Sequence, residues 1–285
     1  MNTSTDNSMI LELRHLYPSL TSAEKKFIDC VFEAPDESIY LSITEMAERS
    51  GISEATIVRL CRKAGLRGYQ EFKLRLVRDQ VIPEENLHTA LSGNEDLDTL
   101  VQRIAQDNAQ AISNTTRLVH LPDLARARDS LLSANRIDLI GVGASSFTAM
   151  DALYKFRRLG LPVSMAGDNH MQMMSAAMLA PGDAALGISF TGSTRDTVHA
   201  MAEAKKAGAV TICLTNYKKS PITQFSDVVL LTAARETPLR SGALTSKIAQ
   251  LHVLDLLYTY TAMSIRERAL QNIQKTAAAV LEQLY

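Results

Sequence analysis

The chain contains no tryptophan and only three cysteines, Cys30, Cys61 and Cys213, among 285 residues. Cysteines so few, odd in number and far apart do not build a disulfide framework, and with no CxxC or HxxxH spacing a zinc site is not supported either. Neither a metal nor another cofactor is expected. Nowhere do about eighteen apolar residues follow one another, so the pattern holds no membrane-spanning helix. Residues 1–8 are polar and lack the charged start and apolar core of a signal peptide, which makes a cytoplasmic chain the expectation. Net charge is nearly absent as well, −1 at pH 7. Any affinity for a polyanion must therefore come from a local patch.

Such a patch is there. From Arg49 to Arg78 eight basic residues stand against only Glu54 and Glu71. The same stretch holds a helix-turn-helix pattern. Ala47 is small enough for a close helix crossing, and Gly51 suits a turn that needs positive φ. Ser53 then caps a second helix, Glu54 complements its dipole, and Gly65 closes it. At about 100° per residue, Ile57, Leu60, Cys61 and Ala64 share one face, and Ala55, Thr56, Arg59, Arg62 and Lys63 the other. Methyls, a hydroxyl and cations on one face are what a major-groove reader needs. The expected DNA contacts are Ser53, Ala55, Thr56, Arg59, Arg62, Lys63, Arg67 and Lys73.

Around this motif, Thr21 and Glu24 form one capping box and Ser42 and Glu45 another, each opening a helix. Ala34, Pro35 and Asp36 are expected to stop the first, and Tyr69, Phe72 and Leu76 to close a small core. The all-α domain so defined covers residues 1–80, followed by a polar linker over 81–96 broken by Pro83 and Gly93. Two helices follow, one over 97–118 and one after Pro122.

Strand and helix then alternate. Strands are expected at 137–142, 162–165, 183–189, 209–214 and 227–231, with helices over 147–159, 171–179 and 194–207 between them. Short apolar strands alternating with helices argue for a parallel sheet covered on both faces. A long helical region begins near Leu244; its Met and Leu positions are expected in the core or a subunit interface, with Leu251, Leu254, Leu257 and Tyr258 the candidate interface. The second domain, α/β with five parallel strands, is thus assigned 97–285.

In a parallel sheet, ligands bind beyond the carboxyl ends of the strands. Two of these ends are rich in hydroxyls and helix-opening N–H groups: Gly141 to Ser146, and Ser189 to Thr194. Together they favour a phosphorylated ligand. A dinucleotide site is the competitor, because Gly141, Gly143 and Asp168 imitate its fingerprint. However, Ser146 stands at the third glycine, and no GxxxxGK[ST] motif is present for a P-loop.

The stretch from Ser50 to Lys73 resembles the N-terminal domain of RpiR-type bacterial transcription regulators, and residues 136–231 resemble a SIS (sugar isomerase) domain. The resemblance implies a regulator, not an enzyme, that binds operator DNA and answers to a phosphosugar effector. It implies that Ser145 contacts the sugar and that Ser189, Thr191 and Thr194 hold the phosphate, with Ser146, Gly192 and Ser193 in the same two loops. Thr191 stands where serine is usual and Ser193 where an acidic residue is common. Glu236 matches the acidic residue that borders the sugar, or acts as base in the enzymes. The alternative is a phosphosugar isomerase or lyase with Glu236 as base and His170 or His199 as a second acid/base group; a nicotinamide-binding repressor is a third reading. One helix-turn-helix has a short footprint, so a homodimer or homotetramer reading two half-sites is expected.

Overall fold

A computed structural model describes residues 9–79, 96–234 and 243–281. By internal packing the chain divides into two units. One lies within Met1–Asp107 and the other comprises Asn108–Ala234 with Leu244–Tyr285.

The first unit is all helix: α1 (Met9–Leu16), α2 (Ser22–Glu33), α3 (Pro35–Ser38), α4 (Ile43–Ser50), α5 (Glu54–Lys63) and α6 (Tyr69–Asp79). Both capping boxes form. Glu24 N–H donates to Thr21 Oγ1 and Glu45 N–H to Ser42 Oγ, and each glutamate accepts from the cap residue's own N–H. That bond from the Thr21 N–H holds the Glu24 carboxyl below its ordinary range. Pro35 ends α2 as expected but also opens α3, since its fixed φ suits a first helical position. Helix α1 falls outside the sequence expectation. Its Met9 and Leu13 are buried with Phe27, Ile28, Met46, Ile57, Leu60, Phe72 and Leu76 in one apolar cluster. The Phe27 and Phe72 rings, 5.2 Å apart, lie within it.

Helices α7 (Leu97–Leu118) and α8 (Leu121–Ser133) precede the sheet. The sheet itself holds β1 (Ile137–Ile140), β2 (Val163–Ser164), β3 (Ala184–Ile188), β4 (Val210–Thr215) and β5 (Val228–Leu231). All four pairings are parallel, in the order β2-β1-β3-β4-β5. This is the five-stranded parallel sheet expected, with β1 ending at Ile140 rather than Val142. The connecting helices are α9 (Ala144–Arg158), α10 (Asn169–Ala177) and α11 (Arg195–Lys206), and α12 (Leu244–Ser264) and α13 (Arg266–Leu281) complete the unit.

Alternate strand residues face opposite ways. Leu139, Leu186, Ile188, Ile212 and Leu214 pack with α8, α9 and α12, while Ile140, Ala185 and Cys213 pack with α10 and α11. Leu254 and Leu257 of α12 are fully buried in the first of these layers. They are therefore unavailable to a second subunit, which corrects the expected interface; Leu251 and Tyr258 are only half-buried. Helix α12 is internal enough to bury polar groups, and there Thr148 Oγ1 donates to Gln250 Oε1 at 2.9 Å. Among the described residues no helix is long and apolar enough to cross a membrane.

Candidate functional site

The helix-turn-helix is built by α4, its turn and α5. Gly51 has φ 66°, and the Ile52 N–H closes the turn on the Ala47 carbonyl at 3.1 Å. Left-handed backbone at that point is why glycine stands there. Ser53 caps α5, its Oγ accepting from the Thr56 N–H at 3.2 Å. Ile57, Leu60 and Cys61 are buried beneath the helix. Ser53, Ala55, Arg59, Arg62, Lys63 and Arg67 are exposed, and Thr56 is half-buried. Lys63 Nζ lies 3.4 Å from Glu24 Oε2 and 3.4 Å from the Ser19 carbonyl, so part of its charge is answered within the unit.

Lys73 must be removed from the set of DNA contacts. It is 4 % exposed, and its Nζ donates to the Leu41 carbonyl at 2.9 Å beneath the Tyr69 ring. Burial pushes its ammonium down to about 8, with Glu45 opposing that shift. A cation so placed fastens α6 to the segment before α4 and reaches no ligand.

The second site rests on strand order. β1 and β3 are hydrogen-bonded neighbours, with Ile140 paired to Gly187. Their carboxyl ends therefore lie side by side where the chain reverses its direction of sheet growth, the crevice in which open α/β sheets hold ligands. Residues 141–146 leave one end and residues 189–194 the other, each opening a helix. Gly192 is needed in the second loop on two counts. Its φ is 61°, and a Cβ there would lie 2.1 Å from Ser220 Oγ.

The hydroxyls of the second loop are ordered among themselves. Ser189, fully buried, donates to Thr194 Oγ1 at 3.2 Å, and the Ser193 N–H donates to Thr191 Oγ1 at 3.2 Å. Thr194 occupies the cap position of α11 without a side-chain bond to that helix. In the first loop Ser146 Oγ bonds back to the Gly143 carbonyl at 2.7 Å. Ser145 is half-buried, and its hydroxyl meets no partner among the described residues.

A cavity of about 240 Å³ opens at the end of β1. Of the expected ligand residues Ser146 lines it, beside Gly141 and Gly143 of the same loop, but the 189–194 loop does not. Sequence reading missed its other walls: Met150 and Leu153 of α9, Met165 beyond β2, and Asn169 and Gln172 of α10. Gln172, 5 % exposed, is what fixes the strand end. Its Oε1 accepts from the Gly141 N–H at 3.2 Å and its Nε2 donates to the Gly141 carbonyl at 3.1 Å. No periodic signal marks such a residue. His170 and His199 are exposed, and neither lines the cavity. Glu236 lies outside the described residues, as do most of the expected linker residues.

Two family models match the chain: the helix-turn-helix domain of the rpiR family over residues 7–81 and the SIS domain over residues 130–260. An HTH-type transcriptional regulator of Caldanaerobacter subterraneus is 36% identical, covering 93% of this chain and 94% of that one. The HTH-type transcriptional regulator RpiR of Escherichia coli K12 is 30% identical over 94% of this chain and 90% of its own. Among solved structures, the Vibrio vulnificus NanR protein complexed with ManNAc-6P superposes with a TM-score of 0.85 at 30% identity, covering 97% and 99% of the two chains. The chain belongs to the RpiR family of HTH-type transcriptional regulators, with an N-terminal helix-turn-helix and a C-terminal SIS domain.

Proposed function

We propose that this regulator holds a phosphorylated sugar at the paired carboxyl ends of β1 and β3, and that the sugar sets its affinity for duplex operator DNA. The observation that carries the reading is the adjacency of two hydroxyl-bearing, helix-opening loops at the reversal point of the sheet. The similarity to NanR, solved with ManNAc-6P, makes a phosphorylated amino sugar the first candidate. Ser145, Thr191 and Thr194 are its proposed hydroxyl partners, with Ser189 acting from behind Thr194. Glu236 is proposed to border the sugar.

Residues 1–80 are proposed as the DNA-binding domain, joined through 81–96 to an effector domain over 97–285. Ala55, Arg59, Arg62 and Arg67, all exposed, are its proposed contacts, with exposed Ser53 and Lys63 and half-buried Thr56 beside them. Two copies are proposed to read two half-sites, as one recognition helix spans only a few base pairs. The protein acts in the cytoplasm on this reading and carries out no turnover.

The test is a thermal-shift screen of hexose and N-acetylhexosamine phosphates, because a ligand that binds only the folded chain raises Tm. Operator affinity is then measured with and without each hit. A hit that shifts both Tm and DNA affinity is expected. Conversion of any sugar phosphate into product would overturn the regulator reading in favour of an isomerase or lyase.

A further inference from the structure

On the exposed face of α5, three side chains at helical spacing are joined. Arg59 Nη2 donates to Thr56 Oγ1 at 3.0 Å, and Thr56 Oγ1 lies 2.9 Å from Ser53 Oγ. Ser53 Oγ in turn accepts from the Thr56 N–H. A guanidinium carries donors only, so Thr56 must be the acceptor in the first bond. The two hydroxyls together own two hydrogens and four lone pairs. The three internal bonds consume one hydrogen and three lone pairs, whichever hydroxyl donates to the other. One hydroxyl hydrogen and one lone pair remain, beside four of the five Arg59 N–H groups. The edge so presented is rich in donors, and the major-groove edge that offers two adjacent acceptors, as a bidentate guanidinium needs, is guanine, with N7 and O6.

The neighbouring cations are held differently. Lys63 leans on Glu24, whereas Arg59 meets no carboxylate among the described residues. Thr56 is also well suited to hold it, because branching at Cβ restricts χ1 and keeps Oγ1 in place. Orienting a long side chain before binding removes part of the entropy cost of ordering it on DNA.

We infer that Thr56 is a positioning residue: its hydroxyl pre-orients Arg59 for a bidentate contact with a guanine rather than reading a base itself. This rests on the DNA reading of α5. The competing role for Thr56 is apolar contact with a thymine methyl, and the two roles respond oppositely to substitution. Thr56→Val keeps the methyl and loses the hydroxyl; Thr56→Ser does the reverse.

The experiment uses the full chain. A preferred sequence is enriched from a random-sequence duplex pool, and Kd is measured on it and on a scrambled duplex for wild type, Thr56→Val, Thr56→Ser, Arg59→Ala and Thr56→Val/Arg59→Ala. Thr56→Val is expected to lose about five- to tenfold on the enriched duplex, the scale of one net hydrogen bond, and to bind the scrambled duplex as wild type does. Thr56→Ser should stay near wild type, and Thr56→Val should add no further loss once Arg59 is gone. Loss in Thr56→Ser with Thr56→Val intact overturns the positioning role in favour of methyl contact. Independent, multiplying losses in the double variant overturn it in favour of direct contact. An enriched sequence with unchanged Thr56→Val binding overturns this inference alone, whereas failure to enrich any sequence overturns it together with the DNA reading.

Discussion

The backbone N–H of Ala233 donates to the Thr115 hydroxyl at 3.0 Å, and so fastens the segment leaving β5 to helix α7. Thr115 is fully buried, and one turn earlier Ala111 packs with Ala234, Ala249 and Phe190. Phe190 belongs to the hydroxyl loop. Helix α7 thus touches both the proposed phosphate loop and the end of the sheet. Thr115→Val keeps the shape but leaves a partly buried N–H without this acceptor, which costs at most about 1–3 kcal/mol. Urea unfolding of the variant should show this loss. Its operator affinity should also respond less to the phosphosugar, because a two-state element can transmit an effector only through contacts that differ between the states.

Gly192 leaves no room for a side chain in the proposed effector loop. Alanine there would take a left-handed backbone, at about 1–3 kcal/mol, and drive its Cβ into Ser220 Oγ. Gly192→Ala should therefore lose the effector-induced Tm shift and lower the melting temperature of the free protein. Thr191→Val, which releases only the Ser193 N–H, should keep the melting temperature within a few degrees and lose the response. An unchanged response in both variants would move the effector elsewhere.

Lys73 gives a pH signature. Its folded pKa of about 8 lies below the ordinary 10.5, so between these values the unfolded chain binds more protons than the folded one. Stability must then rise with pH through that window, and below about 8 this group contributes no slope. Lys73→Met should flatten the rise and stabilise the protein near neutrality. The Leu41 carbonyl keeps a donor in Tyr69 Oη at 3.3 Å after the substitution. Tm measured from pH 7 to 10 in wild type and variant checks this, and DNA affinity at neutral pH should not change.

For DNA binding, the two cations at the end of α5 should differ. Arg62 is exposed, while Lys63 is already drawn toward Glu24. Arg62→Ala should lower the slope of log Kd against log salt by about one phosphate contact. Lys63→Ala should lower it by less. Equal slopes in both variants would show that Glu24 lets go of Lys63 on the DNA.

Local signals carried most of the elements and little of their arrangement. The capping boxes at Thr21 and Ser42, and Gly51 in the turn, placed helix starts and the helix-turn-helix because each acts within four residues. Lys73 was misplaced by counting charge without face. It stands four residues after Tyr69 and three before Leu76, on the buried side of α6. Leu254 and Leu257 misled for the opposite reason. A helix apolar around most of its circumference has no single inward face to read, and α12 is such a helix. The adjacency of β1 and β3 had no local signature at all. Parallel strands are joined through crossover helices, so periodicity shows that they exist but not which are neighbours. Both hydroxyl loops were visible in the sequence; their shared crevice was not.

The two buried cysteines turn the chain into its own stopwatch. Cys61 sits in the core of the helical unit and Cys213 in that of the α/β unit, and burial pushes each thiol up to about 12. The thiolate is the form that alkylates, so at neutral pH a reagent marks either sulfur only when its own unit opens. With half-buried Cys30 replaced by alanine, peptide masses after timed alkylation would give two opening rates from one unlabelled protein. A phosphosugar that slows Cys213 but not Cys61 steadies its own domain alone; one that slows both has made itself felt at the DNA-binding end.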